Sequence, residues 1–110
     1  MNDILKREIL ISLFDIYNEL LTDKQKSYFM DYYYSDLSLS EIASNNNVSR
    51  NAVYDMLKKT EDILNNYENV LKIHQKNLKI LEIIDDNSSD ALEKIKKIIE
   101  EWKYGFRFII

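Results

Sequence analysis

SLSEIASNNNVSRNAVYDMLKKTE, residues 38–61, is the stretch that decides the fold. Ser38 followed by Glu41 has the form of a capping box, which marks the beginning of a helix. Ser49 comes after a run of asparagines and is a good N-cap for the next helix. Asn47 tolerates the positive φ that a tight turn often needs, because its amide can bond locally. The pattern predicts two helices around a tight turn, a helix-turn-helix.

The apolar residues of this stretch are spaced so that the two helices face each other and the remaining core. They are Leu39, Ile42, Ala43, Val48, Val53, Met56 and Leu57. Ala43 is small enough to let the helices cross closely. These residues build the scaffold, whereas base recognition depends on the exposed face of the second helix.

That exposed face carries residue types that bond base edges and phosphates. The predicted nucleic-acid-binding residues are Arg50, Asn51, Tyr54, Lys58 and Lys59. From residue 49 to 62, however, three basic residues are balanced by three acidic ones, so no net charge is available to release counterions. The whole chain has a formal net charge of −4, whereas a duplex-binding domain usually has a basic footprint. We therefore place DNA binding second among the candidate functions.

The composition further limits the classes of function that the chain is expected to have. The chain has no cysteine, one histidine, one glycine and no proline. The sequence therefore lacks the residues that are needed for disulfides, thiolate metal sites, cysteine nucleophiles and glycine-rich phosphate loops. We expect no catalytic residue, no metal and no cofactor, and we expect the protein not to be an enzyme. No apolar run suits a signal peptide or a membrane span, which predicts a cytoplasmic protein without membrane insertion.

The chain is predicted to be a single all-α domain over residues 1–110. Its helix-turn-helix unit covers about 38–64 and its C-terminal helical extension about 65–110. Periodicity and capping patterns predict the remaining elements. They are a first helix over 3–20, a second from Thr22 to about Tyr34, one long helix from Arg50 to about Ile84, a loop over 85–90, and a last amphipathic helix followed by an apolar tail. The apolar face of the first helix is predicted to carry Leu5, Ile9, Leu13, Tyr17 and Leu20, and NNYEN at 65–69 is the point at which the long helix is open to a kink or an end.

The second predicted helix contains an aromatic cluster. Its members are Tyr28, Phe29, Tyr32, Tyr33 and Tyr34. Tyrosine rings can stack on the bases of single-stranded nucleic acid, but such platforms normally lie in a basic groove, and Asp31 and Asp36 flank this helix. Packing in the core is the favoured interpretation, since tyrosine can bury its ring and keep its hydroxyl in water.

An apolar stripe on the long helix and the apolar tail predict contacts with a partner, through which we expect a homodimer. The candidate contact residues are Leu64, Leu71, Leu78, Leu81, Trp102, Phe106 and Phe108. The tail either folds back onto the core or pairs with another subunit. A structural dimerisation module is therefore a third candidate function.

The run from Leu20 to Leu71 resembles the YlxM-like family of small bacterial helix-turn-helix proteins. The resemblance lies in LLTDKQ, the tyrosine-rich helix, LSLSEIA, SRNAVYD and KKTEDILNNYE, in that order. The helix-turn-helix alone is also similar to the promoter-recognising C-terminal domain of sigma factors. Membership implies an all-helical fold and a regulatory link to the signal recognition particle, proposed from gene neighbourhood with its GTPase components.

The leading hypothesis from the sequence is therefore a non-enzymatic adaptor or regulator of the signal recognition particle. Its partner is expected to be the protein or the RNA component of that particle, with DNA as the alternative.

Overall fold

A computed structural model describes residues 3–86 and 90–109, with side chains up to Glu101. In these residues the chain forms six α-helices, one 3-10 turn and no strand. The helices are α1 Asp3–Tyr17, α2 Asp23–Tyr33, α3 Leu39–Asn46, α4 Arg50–Leu71, α5 Ile73–Asp86 and α6 Ala91–Ile109, and the 3-10 turn is Asn18–Leu20. The predicted all-α fold is confirmed.

The chain divides into two compact units, one ending at Tyr67 and the other beginning at Glu68. The first contains α1, α2, α3 and most of α4, and therefore the whole helix-turn-helix. The second contains α5 and α6. That residues 1–110 form a single domain stays a prediction.

The buried face of α1 differs from the stripe that its periodicity suggested. That stripe joined Leu5, Ile9, Leu13, Tyr17 and Leu20. The structure instead buries Leu10, Leu13, Phe14 and Tyr17. The side chains of Leu5 and Ile9 are 49% and 42% exposed. Periodicity identifies the apolar positions of a helix, but only its packing partners decide which of them leave water.

The predicted capping box at the start of α2 is confirmed. The Thr22 hydroxyl accepts a hydrogen bond from the Gln25 amide at 3.2 Å, and the Gln25 side chain accepts one from the Thr22 amide at 2.9 Å. Each bond satisfies a backbone donor that a helix N-terminus would otherwise leave unpaired.

Two of the five members of the aromatic cluster of α2 pack into the core. Tyr28 and Phe29 are buried, and the Phe29 ring stacks on that of Phe14 with centroids 4.3 Å apart. Tyr34 is half exposed, and its hydroxyl donates a hydrogen bond to Asp15 at 2.9 Å. Such aromatic pairs stabilise a core beyond the area that they bury.

The prediction of one long helix from Arg50 to about Ile84 is wrong. Helix α4 ends at Leu71, Lys72 has a left-handed φ of 57°, and α5 begins at Ile73. The carboxylate of Glu68 accepts hydrogen bonds from the amides of His74 at 3.1 Å and Gln75 at 3.0 Å. It thus takes the part of an N-cap side chain for α5. This cap lies several residues before the helix that it serves, so the usual sequence patterns do not detect it.

Candidate helix-turn-helix interface

The turn between α3 and α4 is a Schellman motif built on asparagine. Asn47 has φ 55° and ψ 42°, the left-handed conformation in which glycine is the most common residue. The Val48 amide donates to the Ala43 carbonyl at 3.1 Å, and the Asn47 amide donates to the Ser44 carbonyl at 3.4 Å. These two bonds satisfy the last carbonyls of α3. The prediction that Asn47 takes a positive φ is confirmed.

Serine caps begin both helices of the motif. The Ser38 hydroxyl accepts from the Glu41 amide at 3.1 Å, and the Glu41 carboxylate accepts from the Ser38 amide at 3.0 Å. This hydrogen bonding lowers the pKa of the Glu41 carboxyl. At the start of α4 the Ser49 hydroxyl accepts from the Ala52 amide at 3.0 Å. The two caps fix where α3 and α4 begin, and so fix which residues of α4 face outward.

The inward face of the motif is packed as predicted. Ile42 and Val53 are fully buried, and Tyr28 of α2 packs with them. The rest of this cluster is Ala43 and Leu57, with Leu37, Leu39, Val48, Met56 and Tyr32 packed against it. Burial of a whole aliphatic side chain contributes about 1.5–3 kcal/mol, so these contacts hold α4 firmly on α2 and α3.

All five predicted nucleic-acid-binding residues lie on the surface of α4. Arg50, Asn51, Tyr54, Lys58 and Lys59 are exposed, and the Tyr54 side chain is 53% exposed. The acidic residues Asp55 and Asp62 are exposed on the same helix. The surface of α4 is therefore mixed in charge.

The structure also brings residues of α1 and α2 beside this surface, which the sequence analysis did not predict. A groove of about 460 Å³ lies along α1, α2 and α4. We call it the tyrosine groove. Its polar lining includes Lys6, Arg7, Tyr32, Tyr33, Tyr54 and Lys58. Of the five predicted residues of α4, it contains Tyr54 and Lys58.

Arg7 holds one wall of the tyrosine groove in place. Its guanidinium donates to the Tyr33 carbonyl at 2.7 Å and to the Asp36 carboxylate at 2.9 Å. The guanidinium also lies over the Tyr33 ring, 5.1 Å from its centroid. A cation at the last carbonyls of α2 is favoured by the helix dipole. The sequence gives no signal for this contact, because 26 residues separate Arg7 from Tyr33.

The Tyr33 hydroxyl is fixed by a hydrogen bond of its own. It donates a hydrogen bond to the Glu61 carboxylate at 2.8 Å, which joins α2 to α4. Burial, and then the bond to Glu61, raise the pKa of the Tyr33 phenol well above its ordinary value. The Tyr33 phenol therefore remains a hydrogen-bond donor to Glu61 up to a higher pH than a free phenol would.

The predicted partner contacts fall into three groups. Leu64 is fully buried in the first unit, so its assignment as a partner contact is wrong. In the second unit Leu71 is half-buried, whereas Leu78 and Leu81 are 53% and 56% exposed. The side chains of Trp102, Phe106 and Phe108 lie outside the described residues. Of the set, only Leu78 and Leu81 are seen to present a large apolar surface.

Neither a metal-binding cluster nor a membrane-spanning helix is present among the described residues. Across 3–86 and 90–101 no group of three or more histidine, cysteine or acidic side chains is placed to hold a metal ion. None of the helices over the described ranges combines the length and the apolar character needed to cross a bilayer.

Comparison with known proteins identifies the family. Residues 4–103 match the family model described as "Putative helix-turn-helix protein, YlxM / p13 like". The chain belongs to this family, UPF0122. The resemblance inferred from the motifs of residues 20–71 is therefore confirmed, and the match extends over α1, α5 and most of α6.

Several UPF0122 proteins are similar to this chain. One from Fusobacterium nucleatum is 47% identical over 91 residues, covering 81% of this chain and 87% of the relative. One from Mycoplasma mycoides is 44% identical over 109 residues, covering 94% and 96%. One from Listeria innocua is 42% identical over 99 residues, covering 78% and 90%. The chain thus corresponds to nearly the full length of these UPF0122 relatives.

Proposed function

We propose that this UPF0122 protein is a non-enzymatic regulator or adaptor of the signal recognition particle pathway. Its helix-turn-helix would contact the protein or the RNA component of the particle. The observation that carries the proposal is the exposed surface of α4, where Arg50 and Asn51 stand beside Asp55. A surface of mixed charge suits a specific macromolecular partner better than nonspecific duplex DNA, because nonspecific binding of a duplex depends on net positive charge.

The link to this particular partner rests on the family resemblance. The action we propose takes place in the cytoplasm, where the GTPase and the RNA of the particle are found.

The test is direct binding to purified components. The protein is immobilised and exposed separately to the GTPase and to the RNA of the particle at moderate salt. We expect one of the two to be retained. The double variant Arg50→Ala/Lys59→Ala should weaken that retention, whereas Lys79→Ala, which removes an exposed lysine from α5, should not. Failure to retain either component would refute the proposal.

Sequence-specific DNA binding is the second candidate, and one observation favours it. Arg50 and Asn51 occupy the first turn of α4, where the recognition helix of a helix-turn-helix contacts base edges. Arginine pairs well with guanine and asparagine with adenine. Arg50→Ala should then cost about 1–3 kcal/mol and relax the preference at one base pair. Selection from random duplexes that enriches no sequence would exclude this candidate.

We also propose that the protein is a homodimer formed through its second unit. The support is the exposed apolar side chains of α5, among them Leu78, Leu81 and Ile84. A surface of this kind gains stability when a second copy covers it. Light scattering at micromolar concentration should give twice the mass of one chain, and the double variant Leu78→Glu/Leu81→Glu should give the mass of one. A wild-type monomer would refute this part.

A further inference from the structure

The tyrosine groove combines aromatic rings with cations. Tyr32 and Tyr33 come from α2, Tyr54 from α4, and the basic side chains Lys6 and Lys58 from α1 and α4. Considered alone, the tyrosines of α2 lack the basic surroundings of a base-stacking platform. The fold places lysines of two other helices beside these rings. Aromatic rings together with basic side chains are the features that bind unpaired nucleotides.

One wall of the groove is fixed and another is open. Tyr33 is held by Arg7 and Glu61, and Tyr32 meets its ring edge-on with centroids 5.0 Å apart and planes at 84°. Tyr54 is 53% exposed, so its ring is accessible to a ligand. Tyr32 and Tyr33 therefore form a preformed wall of the groove, and Tyr54 supplies the ring that a base can reach.

The groove offers two lysine side chains to a phosphate. Lys6, Arg7 and Lys58 line it together with Asp3 and Glu61, and Asp36 pairs with Arg7 at 2.9 Å, so cations and anions at the groove are equal in number. Arg7 is occupied by the Tyr33 carbonyl and Asp36. The phosphate contacts therefore fall to Lys6 and Lys58, which are both exposed.

The volume of the groove, about 460 Å³, lies within the range of sites for small ligands, roughly 300–1,000 Å³. A single nucleotide fits such a volume. Bases in a duplex are stacked on both faces, whereas an unpaired base exposes a face on which an aromatic side chain can stack.

We propose that the tyrosine groove binds one unpaired nucleotide of a single-stranded nucleic acid, with its base stacked on Tyr54 and its phosphate held by Lys6 and Lys58. RNA and DNA single strands share this chemistry. The inference goes beyond the proposed function, since it does not require the strand to belong to the signal recognition particle. It also assigns Tyr54 and Lys58 to a different task from base recognition in the major groove.

The test measures fluorescence anisotropy of labelled twelve-nucleotide probes of mixed sequence, as single-stranded RNA, single-stranded DNA and a DNA duplex. We expect the full-length chain to bind a single strand more tightly than the duplex, and the two single-stranded probes show which sugar is preferred. Tyr54→Ala should weaken single-strand binding about 5- to 150-fold, the loss expected for one base stack, whereas Tyr54→Phe should stay within about twofold of the wild type.

Lysine variants test the phosphate contacts. Lys58→Gln should reduce the slope of log affinity against log salt by about 0.7, the value for one phosphate contact on a single strand. Lys79→Gln is the control, because Lys79 is an exposed lysine of α5 and is not part of the groove lining. Circular dichroism should show unchanged folding for all these surface variants.

The results of these measurements distinguish binding in the tyrosine groove from binding elsewhere. Loss of binding in Tyr54→Ala, with binding kept in Tyr54→Phe and Lys79→Gln, supports the groove. Absence of single-strand binding, tighter binding of the duplex, or equal losses in Lys58→Gln and Lys79→Gln would overturn it. Retention of a particle component without single-strand binding would leave the proposed function standing while removing this inference.

Discussion

Replacing Leu64 by alanine should destabilise the first unit strongly. The Leu64 side chain is fully buried in α4. Its truncation removes three carbon groups from the core, a transfer cost of roughly 2.4 kcal/mol at about 0.8 kcal/mol each. The cavity left behind adds to this cost, so the total falls between about 2.4 and 5 kcal/mol.

For a unit that ends at Tyr67, such a loss is a large share of the stability. Domains are stable by roughly 0.05–0.15 kcal/mol per residue. A loss of 1 kcal/mol lowers the melting temperature of a domain of this size by about 4–8 °C, so Leu64→Ala should lower it by at least about 10 °C.

The assay is thermal unfolding followed by the near-ultraviolet circular dichroism of tyrosine. Every tyrosine except Tyr104 precedes Glu68, so the signal reports chiefly on the first unit. Leu5→Ala is the matched control, because Leu5 lies in the same unit and is 49% exposed, so its truncation should change stability by no more than about 0.5 kcal/mol. Equal melting temperatures for Leu64→Ala and Leu5→Ala would refute the assignment of Leu64 to the core.

Two further perturbations test the turn and the tyrosines. Asn47→Gly should leave the urea midpoint close to that of the wild type. Asn47→Ala should lower the free energy of unfolding by about 1–2 kcal/mol, because alanine disfavours the φ of 55° at this position. Equal effects of the two substitutions would contradict the turn geometry. The fold raises the pKa of Tyr34 to about 12 and that of Tyr33 further, chiefly by burial, so both protonated phenols are favoured by folding. Their contribution to the free energy of unfolding is complete below the ordinary pKa of 10 and is lost as the pH rises from 10 towards 12. The urea midpoint should therefore fall over this pH range, and it should fall less steeply with pH in Tyr33→Phe. An equally steep fall in Tyr33→Phe and in the wild type would count against the stabilising role of the protonated Tyr33 phenol.

Local chemistry explains why the helix-turn-helix was predictable. The capping boxes at Thr22 and Ser38, the Ser49 cap and the left-handed Asn47 each involve residues within a few positions of one another. Such interactions leave their signature in the sequence itself, because the bonding partners are fixed by spacing along the chain.

The missed features have physical causes of two kinds. Leu64 was assigned to a partner interface, because an apolar stripe looks the same whether its own chain or another covers it. The helix break at Lys72 was missed, because no glycine or proline marks it and the cap is the distant Glu68 carboxylate.

The sequence by itself determined the all-α class, the turn and the residues that α4 exposes, because caps and periodicity are local properties of a chain. Only the tertiary structure decided that Lys6 and Arg7 lie beside Tyr54 and Lys58, and that Tyr33 joins Arg7 to Glu61. These contacts join residues on three helices that are far apart in the sequence. Their positions follow from how the buried faces of α1, α2 and α4 pack, which no local pattern encodes.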